Sequence, residues 1–253
     1  MIEVVTFDCA NTLVEVTWTL DGFARDCMNR LKLVLPDQAY PRLLHLYVES
    51  LPEYEEINLQ GNAEDGEMFW RRLTTQWFAE FGIADSWVLP SREISEQLMY
   101  GPEGGYFRLF PDTVRCLRQL RDQGIRLAVV SNWDYTLHRI LETLGVRDRF
   151  ELVLASLEHG VEKPDPRLFE ICLAQMGVAP DRVAHVGDDA VDDVEGALNA
   201  GLTPIHLVRS GSTPLSEAPF ASIEGRLLCQ DKSGGRIGIS SLDQLVEVVR
   251  SIG

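Results

Sequence analysis

The chain has 253 residues, more than the roughly 100–200 of a usual single domain, so one large domain or a core carrying a smaller module is expected. Its 45% hydrophobic, 8% aromatic and 25% charged residues are those of an ordinary globular protein and exclude disorder for the bulk of the chain. Lys plus Arg number 23 against 39 Asp plus Glu, and the resulting charge of −16 repels nucleic-acid phosphates and anionic lipid surfaces, so neither nucleic acid nor membrane is an expected partner.

No run approaches the roughly 18 apolar residues of a spanning helix, and the first residues alternate and carry acid where a secretory leader would be basic and then apolar. A cytoplasmic protein is expected. Cys9, Cys27, Cys116, Cys172 and Cys229 are scattered without CxxC or Cys/His spacing, which predicts reduced, mostly buried thiols.

In chain order, Ile2 to Phe7 is β-branched and ends in Asp8, as a buried strand presenting an acid at its tip would. Residues 15–105 then carry helical spacing (Leu43, Leu46, Tyr47; Phe69, Trp70, Leu73, Trp77, Phe81), four of the five tryptophans and no strand-like run. They read as a helical module inserted after the first strand, its tryptophans packing the module's own core before lining any substrate. The return lies at Phe110-Pro111-Asp112, with Pro111 placed for a first helical turn.

From there helices and strands alternate. A helix with Val114, Leu117 and Leu120 on one face stops at Gly124, and strand Arg126 to Val130 ends in Ser131-Asn132. Helix Leu137 to Leu144 stops at Gly145, strand Phe150 to Leu154 follows, and helix Pro166 to Met176 stops at Gly177. Strand Arg182 to Val186 leads to Gly187-Asp188, helix Val191 to Ala200 to Gly201, and strand Pro204 to Val208 closes the series. Residues 210–235 read as loop, and Leu242, Leu245 and Val248 as a short terminal helix. The alternation predicts an α/β, doubly wound parallel sheet (Rossmann-like), with residues 1–14 and 106–253 as the core and 15–105 as a helical cap.

In such sheets ligands bind beyond the carboxyl ends of the strands, which singles out Asp8, Ser131, Asn132 and Asp188. Acids at two strand tips suit Mg²⁺, which takes oxygen ligands, and Lys163 suits a second anion. A carboxylate not committed to the metal can attack phosphorus and form an aspartyl-phosphate.

Four short motifs occur in order: Phe7-Asp8 with Thr12-Leu13; Val130-Ser131-Asn132; Glu162-Lys163-Pro164-Asp165-Pro166; and His185-Val186-Gly187-Asp188 through Asp193-Val194-Glu195-Gly196-Ala197 to Ala200-Gly201. On these the chain resembles the haloacid dehalogenase-like hydrolase superfamily over nearly its whole length. Its spacing is similar to the helical-cap subgroup that includes haloacid dehalogenase-like hydrolase domain-containing protein 3. The resemblance implies Asp8 as nucleophile and Mg²⁺ ligand, the Ala10 carbonyl and Asp188 as further ligands, and Asp193 as a ligand or the holder of the metal's water. It implies that Ser131, with Asn132, Thr12 and the amides after Asp8 such as that of Cys9, holds phosphoryl oxygens, and that Lys163 bridges Asp8 and phosphate. The implied activity is a Mg²⁺-dependent phosphohydrolase acting on a small phosphorylated metabolite, as monomer or homodimer.

The chain departs from the family's phosphatases at Ala10, where they carry an acid/base Asp whose loss removes about 10² to 10⁴ in rate. Three readings follow. A dehalogenase also lacks that Asp but lacks the metal acids, which are present here as Asp188, Asp192 and Asp193. A phosphonoacetaldehyde hydrolase-like enzyme carries Ala there and uses a cap lysine as a Schiff base; of the three lysines only Lys32 is left for that part after Lys163 and Lys232. A slow or selective phosphohydrolase, working on labile substrates such as acyl phosphates, is the reading adopted, with a non-catalytic phosphate- or partner-binding protein behind it.

Plainer roles stand beside these. Asp189 and Asp192 suit a helix N-terminus, Ser131 could cap the next helix, and His185 sits in a buried strand pattern. Cys9 reads as a space filler whose amide faces phosphate, Trp133 as packing or pocket wall, and His159 has no partner motif.

Overall fold

The computed structural model describes residues 1–101, 104–209 and 237–252. These fall into two compact units, one made of residues 1–16, 108–209 and 237–252 and the other of 17–107 less the two undescribed positions. The expected loop at 210–235, with Cys229 and Lys232 in it, lies outside the described residues.

Strand β1 (Val4–Phe7) opens the core and is followed by the short β2 (Val14–Val16). The helical unit then runs through α1 (Leu20–Leu31), α2 (Ala39–Glu49), α3 (Leu51–Gln60), α4 (Ala63–Glu80) and α5 (Val88–Tyr100). Its interior is aromatic: the Tyr47 and Trp70 rings stack with centroids 5.4 Å apart, and Tyr54 meets Phe69 at 4.8 Å. Trp77, one turn beyond Leu73 on the buried face of α4, donates its indole N–H to the Ala39 carbonyl at 2.7 Å. The periodic tryptophans of α4 thus serve packing within the unit.

Strand β3 (Phe107–Leu109) pairs with β2 in a two-stranded ribbon. The chain continues through α6 (Thr113–Asp122), β4 (Arg126–Ser131), α7 (Thr136–Thr143), β5 (Leu152–Ala155), α8 (Pro166–Met176), β6 (Val183–Gly187), α9 (Gly196–Asn199), β7 (Thr203–Leu207), β8 (Ile237–Ile239) and α10 (Leu245–Ser251). The main sheet has the order β5-β4-β1-β6-β7-β8, every pair parallel. Phe7 lies level with Val129 on one side and Val186 on the other, so β1, β4 and β6 end together. From β1 the strand order runs outward to β4 and β5 on one side and to β6, β7 and β8 on the other, and this switch places the binding crevice of such a sheet at these three tips.

The central strands are buried continuously rather than alternately, as a parallel sheet covered on both faces requires. On one face Val4, Ala128, Val130, Leu154 and Val183 pack against Leu168, Phe169, Cys172 and Met176 of α8. Burial of each large side chain there contributes about 1.5–3 kcal/mol. Gly177 ends α8 with φ 60°, a left-handed turn that glycine takes without Cβ strain.

Four local expectations are revised. Pro111 precedes α6 instead of opening it, and Val114 is exposed while Cys116, Leu117 and Leu120 are buried. Thr113, the first residue of that helix, is buried and donates its hydroxyl to the Leu13 carbonyl at 2.8 Å. The helix expected over Val191 to Ala200 begins as a π-helical turn, Ala190–Glu195, before α9. Strand β8 had no counterpart in the sequence, since three residues centred on Gly238 are too short to show alternation. Among the described residues no helix is long and apolar enough to cross a membrane.

Candidate active site

The loop after β1 begins with Asp8, whose amide extends the sheet by donating to Val186 O at 2.9 Å. It then folds tightly on itself. Leu13 and Val14 amides both donate to Cys9 O at 2.9 Å, and the Asn11 amide donates to Val14 O at 2.7 Å. Asn11 has φ 54°, a left-handed conformation that Asn tolerates better than most side chains. The turn leaves Asp8 at the strand tip and Ala10 beside it, half-buried.

Among the described residues Lys163 is the lysine that ion-pairs with both Asp8 and Asp193. Its ammonium, 3% exposed, donates to Asp8 Oδ1 at 2.8 Å and to Asp193 Oδ1 at 2.5 Å. Ser131, at the end of β4, donates its hydroxyl to Asp8 Oδ1 at 2.9 Å. Asp8 Oδ1 thereby takes two hydrogen bonds, and Oδ2 takes none among the described residues.

Asp193 is held from every side. Oδ1 also faces His185 Nε2 at 3.1 Å, and Oδ2 accepts from the Asp189 amide at 2.9 Å. Burial lowers the His185 pKa, so the ring is neutral; donating from Nε2 to Asp193, it accepts at Nδ1 from the Thr6 hydroxyl, 2.9 Å away. A Cβ on Gly187 would lie 2.1 Å from the Asp193 carboxyl, so the residue before Asp188 has to be glycine. Asp189 opens the π-helical turn by accepting from the Val191 and Asp192 amides at 2.7 and 2.8 Å, the helix-terminal role expected of it.

The electrostatics follow from burying several acids around one lysine. Burial, with repulsion from Asp193, pushes Asp8 up to about 6 against the pull of Lys163. Burial and the charges of Asp8 and Asp193 push Asp188 up to about 8. Asp192 rises to about 7 through burial and its neighbour Asp189. Burial acts on Asp193 in the same sense, but the Lys163 charge and the hydrogen bonds from His185 and Lys163 outweigh it and hold Asp193 well below the carboxylate range. For Lys163 burial is likewise outweighed, by Asp193 and Asp8, and the ammonium stays charged.

Asp8, Asp188 and Asp193 each offer a carboxylate oxygen, all within 4.8 Å of one another. Asp8 and Asp193 share one ammonium, and this all-oxygen donor set fits a hard dication such as Mg²⁺ better than a thiophilic metal.

The structure thus brings together Asp8, Ser131, Lys163, Asp188 and Asp193. Thr12, Asn132 and Cys9, the other expected site residues, lie beside this cluster. Thr12 is fully buried and its hydroxyl donates to Asp188 Oδ1 at 3.4 Å. Asn132 spends its side-chain amide on Lys163 and Asp192. Cys9 is fully buried, and burial and the Asp8 charge push its thiol well above the ordinary range, so the thiol is inert. Ser131 does not cap α7, whose first amide, that of Thr136, donates to Asp134 Oδ1 at 2.9 Å. Trp133 donates its indole N–H to Thr136 Oγ1 at 3.2 Å. In the helical unit Lys32 is exposed and ends α1 in a left-handed conformation, φ 57°. His185 was read only as core; its contact with Asp193 carries no sequence signal, because a strand residue and a turn residue eight positions on meet only when the turn folds back.

The sequence pattern of haloacid dehalogenase-like hydrolases matches residues 2–201. Haloacid dehalogenase-like hydrolase domain-containing protein 3 of Bos taurus is 32% identical over 187 residues, 74% of this chain and 71% of that one. Glyceraldehyde 3-phosphate phosphatase of Methanothermobacter thermautotrophicus is 39% identical over 221 residues, 84% of this chain and 88% of that protein. The crystal structure of 2-haloacid dehalogenase from Pseudomonas syringae pv. Tomato covers 100% of both chains with a TM-score of 0.68 at 22% identity, a likeness of fold. With its motifs at the tips of a matching sheet, the chain belongs to the haloacid dehalogenase-like hydrolase family.

Proposed function

We propose that the protein is a Mg²⁺-dependent phosphohydrolase that acts on a small phosphorylated metabolite through Asp8. The observation that carries this reading is Lys163, which binds Asp8 and Asp193 at once and so places a fixed positive charge beside a carboxylate with one unencumbered oxygen. Phosphatases among its relatives, such as the glyceraldehyde 3-phosphate phosphatase, support it.

In this mechanism Asp8 Oδ2 attacks phosphorus, the leaving oxygen departs with the bond's electron pair, and water later releases phosphate from the aspartyl-phosphate. Asp8, Asp188, Asp193 and the Ala10 carbonyl would hold Mg²⁺, which when bound neutralises phosphoryl charge. Lys163 and Ser131 keep Oδ1 fixed, so the nucleophile meets phosphorus with little reorganisation. Near neutral pH Asp8, at about 6, is largely ionised. The Ala10 methyl has no proton to give the leaving oxygen, which favours substrates with good leaving groups such as acyl phosphates. The helical unit would act as the substrate-selecting cap. The cysteines among the described residues are free and buried, which supports a reducing, cytoplasmic setting.

A panel of phosphorylated metabolites assayed with Mg²⁺ for phosphate release tests this, with Asp8→Asn as control. Ala10 also supports a second reading, a phosphate- or partner-binding protein without turnover. Mg²⁺-dependent binding of a phosphate mimic with no release from any panel member would establish that instead.

A further inference from the structure

The Asp8 loop is anchored from outside through two of its carbonyls. Leu13 O accepts from the Phe110 amide at 3.1 Å and from Thr113 Oγ1 at 2.8 Å. Thr12 O accepts from Arg209 Nη2 at 2.8 Å. Arg209 follows β7 and forms a two-pronged ion pair with Asp112, Nη1 to Oδ2 and Nη2 to Oδ1, both at 3.0 Å, with the two side chains only 10% and 9% exposed. Its guanidinium also lies over the Phe110 ring, 3.8 Å from the centroid. Asp112 Oδ2 in turn accepts from Ser241 Oγ at 2.7 Å and the Leu242 amide at 2.9 Å. Three segments distant in sequence therefore meet on one carboxylate, and Arg209 ties the Asp8 loop to them.

The ion pair alone would be satisfied without Thr12. Instead one guanidinium nitrogen is shared between Asp112 and a loop carbonyl, a charge-assisted bond to the residue whose hydroxyl reaches Asp188. We propose that Arg209 and Asp112 are positioning residues of the candidate active site: they hold the Thr12 backbone so that the Thr12 hydroxyl orients Asp188 within the metal-binding carboxylates. The proposal rests on the Mg²⁺ reading given above, and the chain of contact is Asp112, Arg209, Thr12, Asp188. A planar fork is required, because a lysine ammonium cannot span both Asp112 oxygens and the Thr12 carbonyl in one plane.

The test separates positioning from stability. Arg209→Met combined with Asp112→Asn removes both charges, avoids leaving one buried and unpaired, and keeps an acceptor for Ser241 and Leu242. Mg²⁺ alone is titrated calorimetrically, and amide hydrogen exchange is followed at residues 11–14. The expected result is a loss of about tenfold in Mg²⁺ affinity, the lower end for residues acting behind a metal ligand. Exchange at residues 11–14 should accelerate while β4 and β6 keep wild-type protection. Thr12→Val should reproduce the affinity loss and add little to the double variant, since both act through one contact. Arg209→Lys, which keeps the charge, should show the same pattern and serves if the double variant does not fold. A folded variant with wild-type exchange at residues 11–14 and unchanged Mg²⁺ affinity overturns the proposal. If wild-type protein binds no Mg²⁺, the metal reading fails, and exchange at the loop alone decides the positioning claim.

Discussion

Asn132 grips Lys163 by its backbone: Asn132 Oδ1 accepts from the Lys163 amide at 2.8 Å, and Asn132 Nδ2 donates to the Lys163 carbonyl at 2.9 Å. Two bonds from one planar amide fix both position and orientation, so the lysine's long side chain starts from a defined point on its way to Asp8. The ammonium's reach therefore depends on a residue of a different motif, at the end of β4.

Asn132→Ala should lower kcat by about 10²-fold, the effect of misplacing a reacting group by about 1 Å. It should also cost about 1–3 kcal/mol of stability by leaving the Lys163 amide without its acceptor. Steady-state kinetics on the best substrate and thermal unfolding measure the two effects. Unchanged kcat in the folded variant would show that Lys163 is held by other means.

Asp188 makes the metal-free protein sensitive to pH in the direction opposite to an ordinary salt-bridged acid. Its folded pKa of about 8 lies above the unfolded value of 3.8, so its contribution to stability is fully present below the unfolded value and is lost as pH rises through about 8. The unfolding midpoint without Mg²⁺ should fall as pH rises from about 5 to about 8, and fall less in Asp188→Asn. Asp8 and Asp192, pushed up to about 6 and about 7, add to the fall in both proteins, so the difference between them reports Asp188 together with its interaction with Asp8. Adding Mg²⁺ should raise the wild-type midpoint and flatten its pH dependence, because the cation replaces the proton. Parallel pH curves for the two metal-free proteins would contradict the electrostatics.

Ala10→Asp should raise turnover of simple phosphate esters by restoring a proton donor beside Asp8. The gain, up to roughly 10² to 10⁴, should be larger for an alkyl than for an aryl phosphate, whose better leaving group needs the proton less. Some of it will be offset by the added negative charge among carboxylates already pushed upward by burial and mutual repulsion. Adding Asp8→Asn should abolish the gain. If the variant folds and binds Mg²⁺ yet gains nothing on either ester, acid/base chemistry is not what limits the protein.

Lys32 should be dispensable. Schiff-base lysines are activated by desolvation or a neighbouring cation, and Lys32 is exposed at the end of α1. Lys32→Ala should keep full turnover, and borohydride treatment with phosphonoacetaldehyde should leave no adduct on wild-type protein. A trapped adduct at Lys32 would revive carbon–phosphorus cleavage.

Asp8, Ser131 and Asp188 were legible in the sequence because each directly follows a β-branched run, and glycines such as Gly177 punctuate the intervening helices at regular spacing. A parallel sheet converts that order into proximity, since every strand delivers its carboxyl end to the same edge. Lys163 was legible through its motif, although it stands in a loop before α8 and not at a strand tip.

What the sequence by itself determined is therefore the α/β alternation, the interruption by helices and the residue types at the strand tips. Only the tertiary structure decided how those residues are held. The Asn132 grip on Lys163 spans 31 positions and the Arg209–Asp112 pair 97, distances over which hydrophobic periodicity carries no information. The π-helical turn seats Asp193 so close to Gly187 that a Cβ there would not fit, a contact made only after folding. Side-chain hydrogen bonds between remote segments have no local signature, because the energy that selects them depends on burial that the sheet first has to create.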